Sequence, residues 1–379
     1  MDEIGLKKVK LRSVVLSTVY FLKLDEREDP SSIAKKSKIF LKYLKNKLPF
    51  RSGDFVGVKT HFGEKDNKTY IRPQIVKELI NILKTIPVKP FLVETSTLYR
   101  GSRSNGIDHL ITAFQHGFGW EKIGVPIVMV DGIFGDMEVS ITVDGKHSKE
   151  VNIAADVAKL DGLFVISHFK GHIQAGFGGI IKNLGMGLSS RKGKLKQHSL
   201  MTPEISREKC TGCWMCIRWC PKDTIRKADG YAVIDKAGCI GCGECLAVCK
   251  FGAVRFDWGR EGEALMEMMA EHSAGVIKAV NGRVFYITYL INISKDCDCM
   301  GGRPKIISRD IGVLAGDDPV AVEKASYDMF KTINNQGIEQ FVNPRIDPLI
   351  QVYHAEKLGL GTTDYNIQEV ELEEITRIR

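Results

Sequence analysis

The sequence predicts an α/β fold in which a mostly parallel sheet is flanked by helices and interrupted by a small cysteine-rich unit. Strand-like apolar runs alternate with helix-like stretches before residue 200, and the alternation resumes after residue 258. Eight of the ten cysteines lie between these two parts. We therefore expect an α/β domain built from 1–200 and 259–379, with an inserted unit at 201–258. A chain of three separate domains is the less economical alternative.

Nine apolar runs have the length and composition of β-strands. The run at 162–167 is apolar along most of its length, which predicts a strand buried on both faces of the sheet. The last run is expected to be an edge strand. In chain order, the predicted strands are 14–20, 54–59, 90–94, 126–130, 139–143, 162–167, 284–293, 311–315 and 367–372.

Seven stretches between these strands have helical periodicity or helix-start signals. Ser31 or Ser32 is expected to cap the first helix, and Pro73 stands near the start of the second, where proline is favoured. Asp318 followed by Pro319 is a strong start signal for a late helix. In chain order, the predicted helices are 31–48, 73–84, 107–117, 154–160, 263–280, 319–330 and 347–358.

The composition excludes several classes of protein. With 379 residues, of which 44% are hydrophobic and 26% charged, the chain can bury a sizeable core. It has no run of about 18 apolar residues, so we expect no membrane span. Its first residues lack the apolar stretch and cleavage site of a signal peptide. Cysteines in such a chain favour metal binding over disulfides, and we expect a cytoplasmic location.

Two cysteine runs with one spacing pattern stand 29 residues apart. The first matches C-x2-C-x2-C-x3-C-P, and the second repeats it with Lys250 in place of the proline. In this arrangement three cysteines of a run ligate one 4Fe–4S cluster, and the fourth ligates the other cluster. Cluster one is thereby assigned to Cys210, Cys213, Cys216 and Cys249. Cluster two is assigned to Cys239, Cys242, Cys245 and Cys220.

The pattern resembles the bacterial-type ferredoxins that carry two 4Fe–4S clusters. Asp229 and Gly230, followed by 231–234, look like the hairpin of that small α+β fold. Lys250 departs from the usual proline, and we expect a local change in the turn there. A zinc ribbon is the alternative, because C-x2-C pairs also bind zinc. Zinc, however, does not require eight cysteines in two matching runs.

Cys297 and Cys299 lie outside the repeat, with one residue between them. Such a pair can share a metal ion or act as a dithiol, and two buried apolar cysteines are the alternative. His61, His168 and His172 follow predicted strands, where open α/β sheets place their ligands. Each histidine alone is more simply a structural residue. Together, cysteine and histidine suit zinc or iron, so these five residues form a hypothetical second metal or redox site.

Two further segments precede the cysteine-rich unit. A glycine-dense segment at 176–185 can open a helix whose amides face a phosphate or carboxylate. Tight packing of helix against sheet is the alternative. The basic run at 191–196 is expected to be a solvated linker, or else to guide an acidic electron-transfer partner.

Four stretches together resemble the family called domain of unknown function 362, in its form with an inserted two-cluster ferredoxin. They are 58–63, 167–187, 297–299 and 310–321. The resemblance implies a cytoplasmic redox protein of the kind found in anaerobes, and it supplies no proven catalytic residue. It does favour a common site near Cys297 and Cys299. The catalytic candidates there are Lys59, His61, Lys170 and Lys182.

The sequence therefore predicts an iron–sulfur electron-transfer protein, or a ferredoxin-type oxidoreductase, whose clusters serve a site on the α/β domain. The alternatives are a cluster carrier or maturation factor, and a non-redox binding module with structural clusters. We expect a redox partner protein or a small anionic substrate. The net charge of +8 does not indicate nucleic-acid binding, because two clusters with their thiolates would add about −4. No membrane partner is expected either.

Overall fold

The computed structural model of the protein describes residues 16–99, 101–198, 202–220, 222–239, 245, 249, 251–255 and 262–372. In chain order, the strands are β1 (Ser17–Lys23), β2 (Phe55–Lys59), β3 (Lys89–Glu94), β4 (Ile127–Met129), β5 (Glu138–Thr142), β6 (Glu150–Ala154), β7 (Gly162–His168), β8 (Lys170–His172), β9 (Gly176–Gly178), β10 (Glu204–Ile205), β11 (Ile225–Ala228), β12 (Tyr231–Ile234), β13 (Val254–Arg255), β14 (Val284–Leu290), β15 (Gly312–Gly316) and β16 (Tyr365–Glu369). The helices are α1 (Pro30–Leu44), α2 (Pro73–Leu83), α3 (Gly106–Gln115), α4 (Trp120–Ile123), α5 (Ile180–Gly185), α6 (Arg191–His198), α7 (Met215–Arg218), α8 (Gly262–Ala279), α9 (Pro319–Asn334), α10 (Glu339–Val342) and α11 (Ile350–Lys357).

Eight of these strands form one sheet in the order β16-β1-β15-β14-β7-β2-β3-β4. Strand β15 is antiparallel to both of its neighbours, and every other neighbouring pair in this sheet is parallel. Strand β14 pairs with β7, so strands from before and after the cysteine-rich unit lie side by side. The predicted α/β class with a mostly parallel sheet is confirmed. The boundaries at 200 and 258 remain a prediction.

The sheet separates two hydrophobic cores. Leu163 and Val165 of β7 belong to one core, whereas Phe164 and Ile166 belong to the other, as the alternation of side chains along a strand requires. The first core includes residues of α5 and α8, and the second includes residues of α1 and α2. All seven residues of β7 are buried, as the apolar run at 162–167 predicts.

Aspartate followed by proline begins two helices. Asp318 accepts hydrogen bonds from the backbone N–H groups of the first turn of α9, as predicted. Asp29 does the same for α1, where its Oδ1 accepts from the N–H groups of Ser31 (2.8 Å) and Ser32 (3.1 Å). The expectation that one of these serines caps α1 is therefore wrong. The Asp-Pro signal that begins α9 is also present at Asp29 and Pro30, directly before these serines.

Several element boundaries differ from the sequence-based expectation. The stretch 154–160 is not an α-helix, because its first residue ends β6 and only a 3-10 turn, Ala155–Lys159, follows. The first helix stops at Leu44 and continues as a 3-10 turn. The last predicted helix begins only at Ile350. Strand β16 lies at the edge of the sheet as expected, and Tyr365 begins it two residues before the predicted start.

The cysteine-rich unit contains two short strand pairs, β10 with β13 and β11 with β12. Asp229 and Gly230 connect β11 to β12 with positive φ angles of 30° and 82°, which suits a tight hairpin turn. The predicted hairpin is therefore confirmed, whereas Lys250 and the end of the unit lie outside the described residues. Across the described part of the chain, no helix combines the length and apolar character needed to cross a membrane.

Candidate functional site

Parallel strands β2, β3 and β7 end at one edge of the sheet, and Lys59 is the last residue of β2. Its Nζ atom lies 2.8 Å from Glu94 Oε1 at the end of β3. It also donates to Asn183 Oδ1 on α5 at 2.8 Å. Burial lowers the pKa of Lys59. This catalytic candidate is thus fully buried, and it links two strands to a helix.

His168 ends β7, and both of its ring nitrogens face oxygen atoms. Its Nδ1 lies 2.7 Å from Asp298 Oδ2, and its Nε2 lies 2.8 Å from the carbonyl oxygen of Ile291. Lys170 donates to the carbonyl oxygen of His168 at 2.9 Å, and its Nζ lies 3.6 Å from Asp298 Oδ2. In this arrangement His168 has no ring nitrogen left for a metal ion.

His61 is held by Arg103, a residue that no sequence pattern singles out. The buried guanidinium of Arg103 lies 2.9 Å from His61 Nε2 and donates to Glu64 Oε2 at 3.1 Å. The backbone N–H of Gly63 points at Nδ1 of the same ring, at 3.0 Å. Burial, together with the charge of Arg103, lowers the pKa of His61 well below its usual range. Nothing in the sequence distinguishes Arg103 from the nearby Arg100.

Cys297 and Cys299 lie beside His172, and one donor atom from each falls within 4.8 Å of the other two. The Nδ1 atom of His172 is buried without a hydrogen-bond partner. The backbone N–H of Cys299 donates to Cys297 Sγ at 3.5 Å, and Lys182 Nζ lies 3.6 Å from the same sulfur. Burial lowers the pKa of His172 well below its usual range, which leaves the ring neutral.

The two thiols have different acidities. A hydrogen bond from the Cys299 thiol, assisted by the charge of Lys182, lowers the pKa of Cys297 well below its usual range. The same hydrogen bond raises the pKa of Cys299. Burial works against the ammonium form of Lys182, but the two sulfurs raise its pKa. Cys297 and Lys182 therefore favour a thiolate–ammonium pair.

The glycine-dense segment opens a short helix, α5, whose first N–H groups already donate to a carboxyl group of the protein. Glu323 on α9 accepts from the N–H groups of Ile180 (2.7 Å) and Ile181 (3.1 Å). Burial raises the pKa of Glu323 to about 7. Of the two interpretations of this segment, the one with an external phosphate or carboxylate at these N–H groups is therefore not supported. The packing alternative fits, because a Cβ on Gly185 would lie 2.0 Å from the carbonyl oxygen of Met269.

The basic run at 191–196 is not a solvated linker, because it belongs to helix α6. Lys194 is buried, and its Nζ donates to Thr95 Oγ1 at 2.6 Å and to the carbonyl oxygen of Ser96. Burial lowers the pKa of Lys194 to about 8. By contrast, Lys192 is exposed and pairs with a surface carboxylate. Lys194 thus ties α6 to the loop that follows β3.

One cavity in the cysteine-rich unit is lined by four cysteines, together with apolar side chains such as that of Trp214. These cysteines are Cys210, Cys213, Cys216 and Cys249. They are the four residues assigned to cluster one, and the last of them comes from the second run. Of the other assigned set, Cys220, Cys239 and Cys245 are described, and Cys242 lies outside the described residues.

Backbone N–H groups point at several of these sulfurs. Donor and acceptor pairs are Ala232 N to Cys210 Sγ (3.5 Å), Thr224 N to Cys220 Sγ (3.4 Å) and Ala253 N to Cys249 Sγ (3.3 Å). Burial opposes ionisation of Cys249, but N–H groups at 251–254 outweigh it and lower the pKa of the thiol. These residues therefore fit a group that is held by thiolates.

Short stretches of the chain are similar to subunits of oxidoreductases. Indolepyruvate oxidoreductase subunit IorA of Pyrococcus horikoshii is 40% identical over 77 residues, which are 19% of this chain and 12% of that subunit. The formate dehydrogenase iron-sulfur subunit of Wolinella succinogenes is 50% identical over 42 residues, 11% of this chain and 21% of the subunit. The chain thus spans about a fifth or less of the length of these two relatives.

A third relative is matched over most of its own length. Pyruvate synthase subunit PorD of Methanothermobacter marburgensis is 33% identical over 69 residues, which are 18% of this chain and 82% of that subunit. A family model extends much further along the chain, over residues 56–328, and it includes both the strand ends and the cysteine-rich unit. Since this match covers well over half of the chain, the protein belongs to the family described as Domain of unknown function (DUF362).

Proposed function

We propose that this protein is an iron–sulfur electron-transfer protein that holds two 4Fe–4S clusters and serves a site on its α/β part. The observation that carries the proposal is the cavity lined by Cys210, Cys213, Cys216 and Cys249. Cys249 follows Cys216 by more than thirty residues, yet it completes a four-thiol set around one space. This crossed set is what two-cluster ferredoxins require.

The surroundings of the cysteines support thiolate ligation. N–H groups directed at Cys249 and Cys220 stabilise negative charge on sulfur, and such hydrogen bonds also tune the potentials of bound clusters. When bound, the clusters would supply one-electron transfer. Similarity to the iron-sulfur subunit of a formate dehydrogenase supports the same role. A reducing compartment such as the cytoplasm would preserve the thiolates.

The site served on the α/β part is proposed to lie around Lys182 and the cysteine pair. Lys59 and Lys170 are each engaged by a buried carboxylate, and His61 is engaged by Arg103. Lys182 differs, because its ammonium group faces the sulfur of Cys297. Of the four catalytic candidates, Lys182 is therefore the one best placed to bind a small anionic substrate or to donate a proton.

The alternatives predict different behaviour of the clusters. A carrier or maturation factor would hold its clusters loosely and release iron to an apo-acceptor. A non-redox binding module would hold clusters that never change oxidation state. A redox role requires clusters that are bound stably and reduced reversibly.

Anoxically prepared, full-length protein should therefore be titrated with a low-potential reductant and followed by absorption and electron paramagnetic resonance. We expect a reversible signal from reduced clusters, with iron retained after incubation with an apo-ferredoxin. Transfer of most of the iron would favour the carrier, and clusters that stay oxidised under strong reductant would leave only a structural role. Either result would contradict the proposal.

A further inference from the structure

We infer that His172, Cys297 and Cys299 form a binding site for one divalent transition-metal ion. This site is separate from the cysteines of the cysteine-rich unit. Their donor atoms lie within 4.8 Å of one another. Ligands of a tetrahedral zinc ion stand about 3.5–4 Å apart, given Zn–S and Zn–N bonds of about 2.3 and 2.0 Å. Small side-chain adjustments would close the remaining difference.

The loop that carries the two cysteines is fixed from its other side. Asp298, between them, is fully buried and turns away, so that its carboxylate accepts from Thr69 (2.8 Å) and lies against His168. The backbone carbonyl of Cys299 accepts from the Tyr99 hydroxyl at 3.1 Å. The backbone N–H of Met300 donates to the carbonyl oxygen of Cys297 at 2.8 Å. A pre-arranged pair of sulfurs is what a metal site needs.

His172 is brought to the same place by strand β8. The N–H of Gly171 donates to the carbonyl oxygen of Ser294 at 2.8 Å, which joins β8 to the segment just before the cysteines. A Cβ at Gly171 would lie 2.1 Å from the carbonyl oxygen of Lys295, so only glycine permits this approach. The two segments that supply the three donor atoms are therefore held together by their backbones.

An unpaired donor atom is the second observation that points to a ligand. Nδ1 of His172 is buried and has no hydrogen-bond partner, which is unfavourable unless another group binds it. His61 and His168 differ, because both ring nitrogens of each already have partners. The hypothetical five-residue site from the sequence therefore reduces to one histidine and two cysteines.

The donor set indicates the class of metal. Two thiolates and a neutral imidazole suit zinc or ferrous iron, and three protein ligands leave a fourth position open. Among the described residues, no fourth cysteine, histidine or carboxylate joins the group. Two thiolates balance the charge of a divalent ion, so Lys182 beside Cys297 would leave the centre positive and favour an anionic fourth ligand.

Zinc binding to the full-length protein tests the inference. Anoxic, reduced protein would be incubated with zinc chloride, freed of excess metal by gel filtration and assayed for zinc, iron and sulfide. We expect about one zinc per chain in the parent protein, on the assumption of one site. His172→Gln and Cys297→Ser/Cys299→Ser should each lose most of it. His116→Gln is the matched control, because Nδ1 of His116 already forms a hydrogen bond with the carbonyl oxygen of Phe62. This variant should keep the zinc.

A reciprocal variant separates this site from the clusters. Cys213→Ser should lose cluster iron and keep the zinc, whereas Cys297→Ser/Cys299→Ser should do the opposite. X-ray absorption of the bound zinc should report two sulfur neighbours and at least one nitrogen. Absence of zinc from the parent protein would overturn the inference, as would zinc that persists in both site variants or that falls only with Cys213→Ser. In a protein without clusters, zinc would also bind the freed cysteines of the repeat, so the result is then read from the difference between the parent protein and Cys297→Ser/Cys299→Ser, which should remain about one zinc per chain.

Discussion

His168 and Asp298 form a buried pair in which Nδ1 lies 2.7 Å from Oδ2. The pair joins the end of β7 to the loop that carries Cys297 and Cys299. Burial works against the carboxylate, but electrostatic attraction to His168 and Lys170 holds the pKa of Asp298 well below its usual range. The position of the two thiols therefore depends on a polar contact that is buried away from solvent.

Loss of this carboxylate should destabilise the protein strongly. In Asp298→Ala, His168 and Lys170 lose their buried anionic partner, and we expect the free energy of unfolding to fall by about 3–5 kcal/mol. Anoxic urea denaturation followed by circular dichroism measures it. Asp144→Ala is the control, because Asp144 pairs with Lys149 in full contact with solvent. This substitution should lower the free energy of unfolding by less than about 1 kcal/mol. Equal effects of the two substitutions would contradict the assigned role of Asp298.

Crossed ligation makes a prediction about double variants. Cys213→Ser/Cys249→Ser removes two ligands of one cluster, so about four of eight irons should remain. Cys213→Ser/Cys220→Ser removes one ligand from each cluster, so both should be lost or impaired. Iron and sulfide analysis after anoxic purification distinguishes the two, with Cys297→Ala/Cys299→Ala as a control that keeps full cluster iron. A larger loss in the first double variant than in the second would refute the crossed assignment.

Two lysines on helix α6 should differ in their contribution to stability. Lys194→Met removes the donor to Thr95 and to the Ser96 carbonyl, and we expect a loss of about 1–3 kcal/mol in the free energy of unfolding. Lys192→Met, on the same helix, breaks only an exposed ion pair and should cost less than about 1 kcal/mol. Chemical denaturation of both variants provides the comparison. If Lys192→Met were the more destabilising substitution, the buried hydrogen bonds of Lys194 would not stabilise the protein as described.

Glu323 should make stability depend on pH. Its pKa is raised from 4.5 to about 7 in the folded protein, so the folded state retains a proton that the unfolded state loses. Stability should therefore fall as pH rises from about 4.5 to about 7, by about 3 kcal/mol from this residue. Glu323→Gln removes the decline and keeps one oxygen to accept from the N–H groups of α5.

The measurement is the difference in unfolding free energy between parent and Glu323→Gln, recorded at several pH values from 5 to 8. The free energy of unfolding of Glu323→Gln should increase relative to that of the parent protein as pH rises. A difference that stays flat, or that changes in the opposite direction, would show that Glu323 ionises normally.

Local patterns predicted much of this structure, because their causes are local. The Asp318-Pro319 helix start and the Asp229-Gly230 hairpin depend on residues within one turn. The apolar run in β7 depends on burial from both sides, which a parallel sheet imposes. Polar side chains gather at the strand ends, since neighbouring parallel strands finish at one edge.

The contacts that the sequence did not predict join distant segments. Glu323 meets Ile180 across 143 positions, and Lys194 meets Thr95 across 99. A charged residue in such a contact looks like any surface charge in the sequence, because its burial depends on tertiary packing. Arg103 is the clearest case, since only the folded loop places it between His61 and Glu64.

Iron and acid-labile sulfide content, measured on protein prepared without oxygen from iron-replete cells, tests most directly whether the tandem cysteine runs hold clusters. Two clusters predict about eight irons and eight sulfides per chain, with a brown colour that bleaches on reduction. A colourless protein that contains zinc in place of iron and has no sulfide would contradict the proposed electron-transfer function.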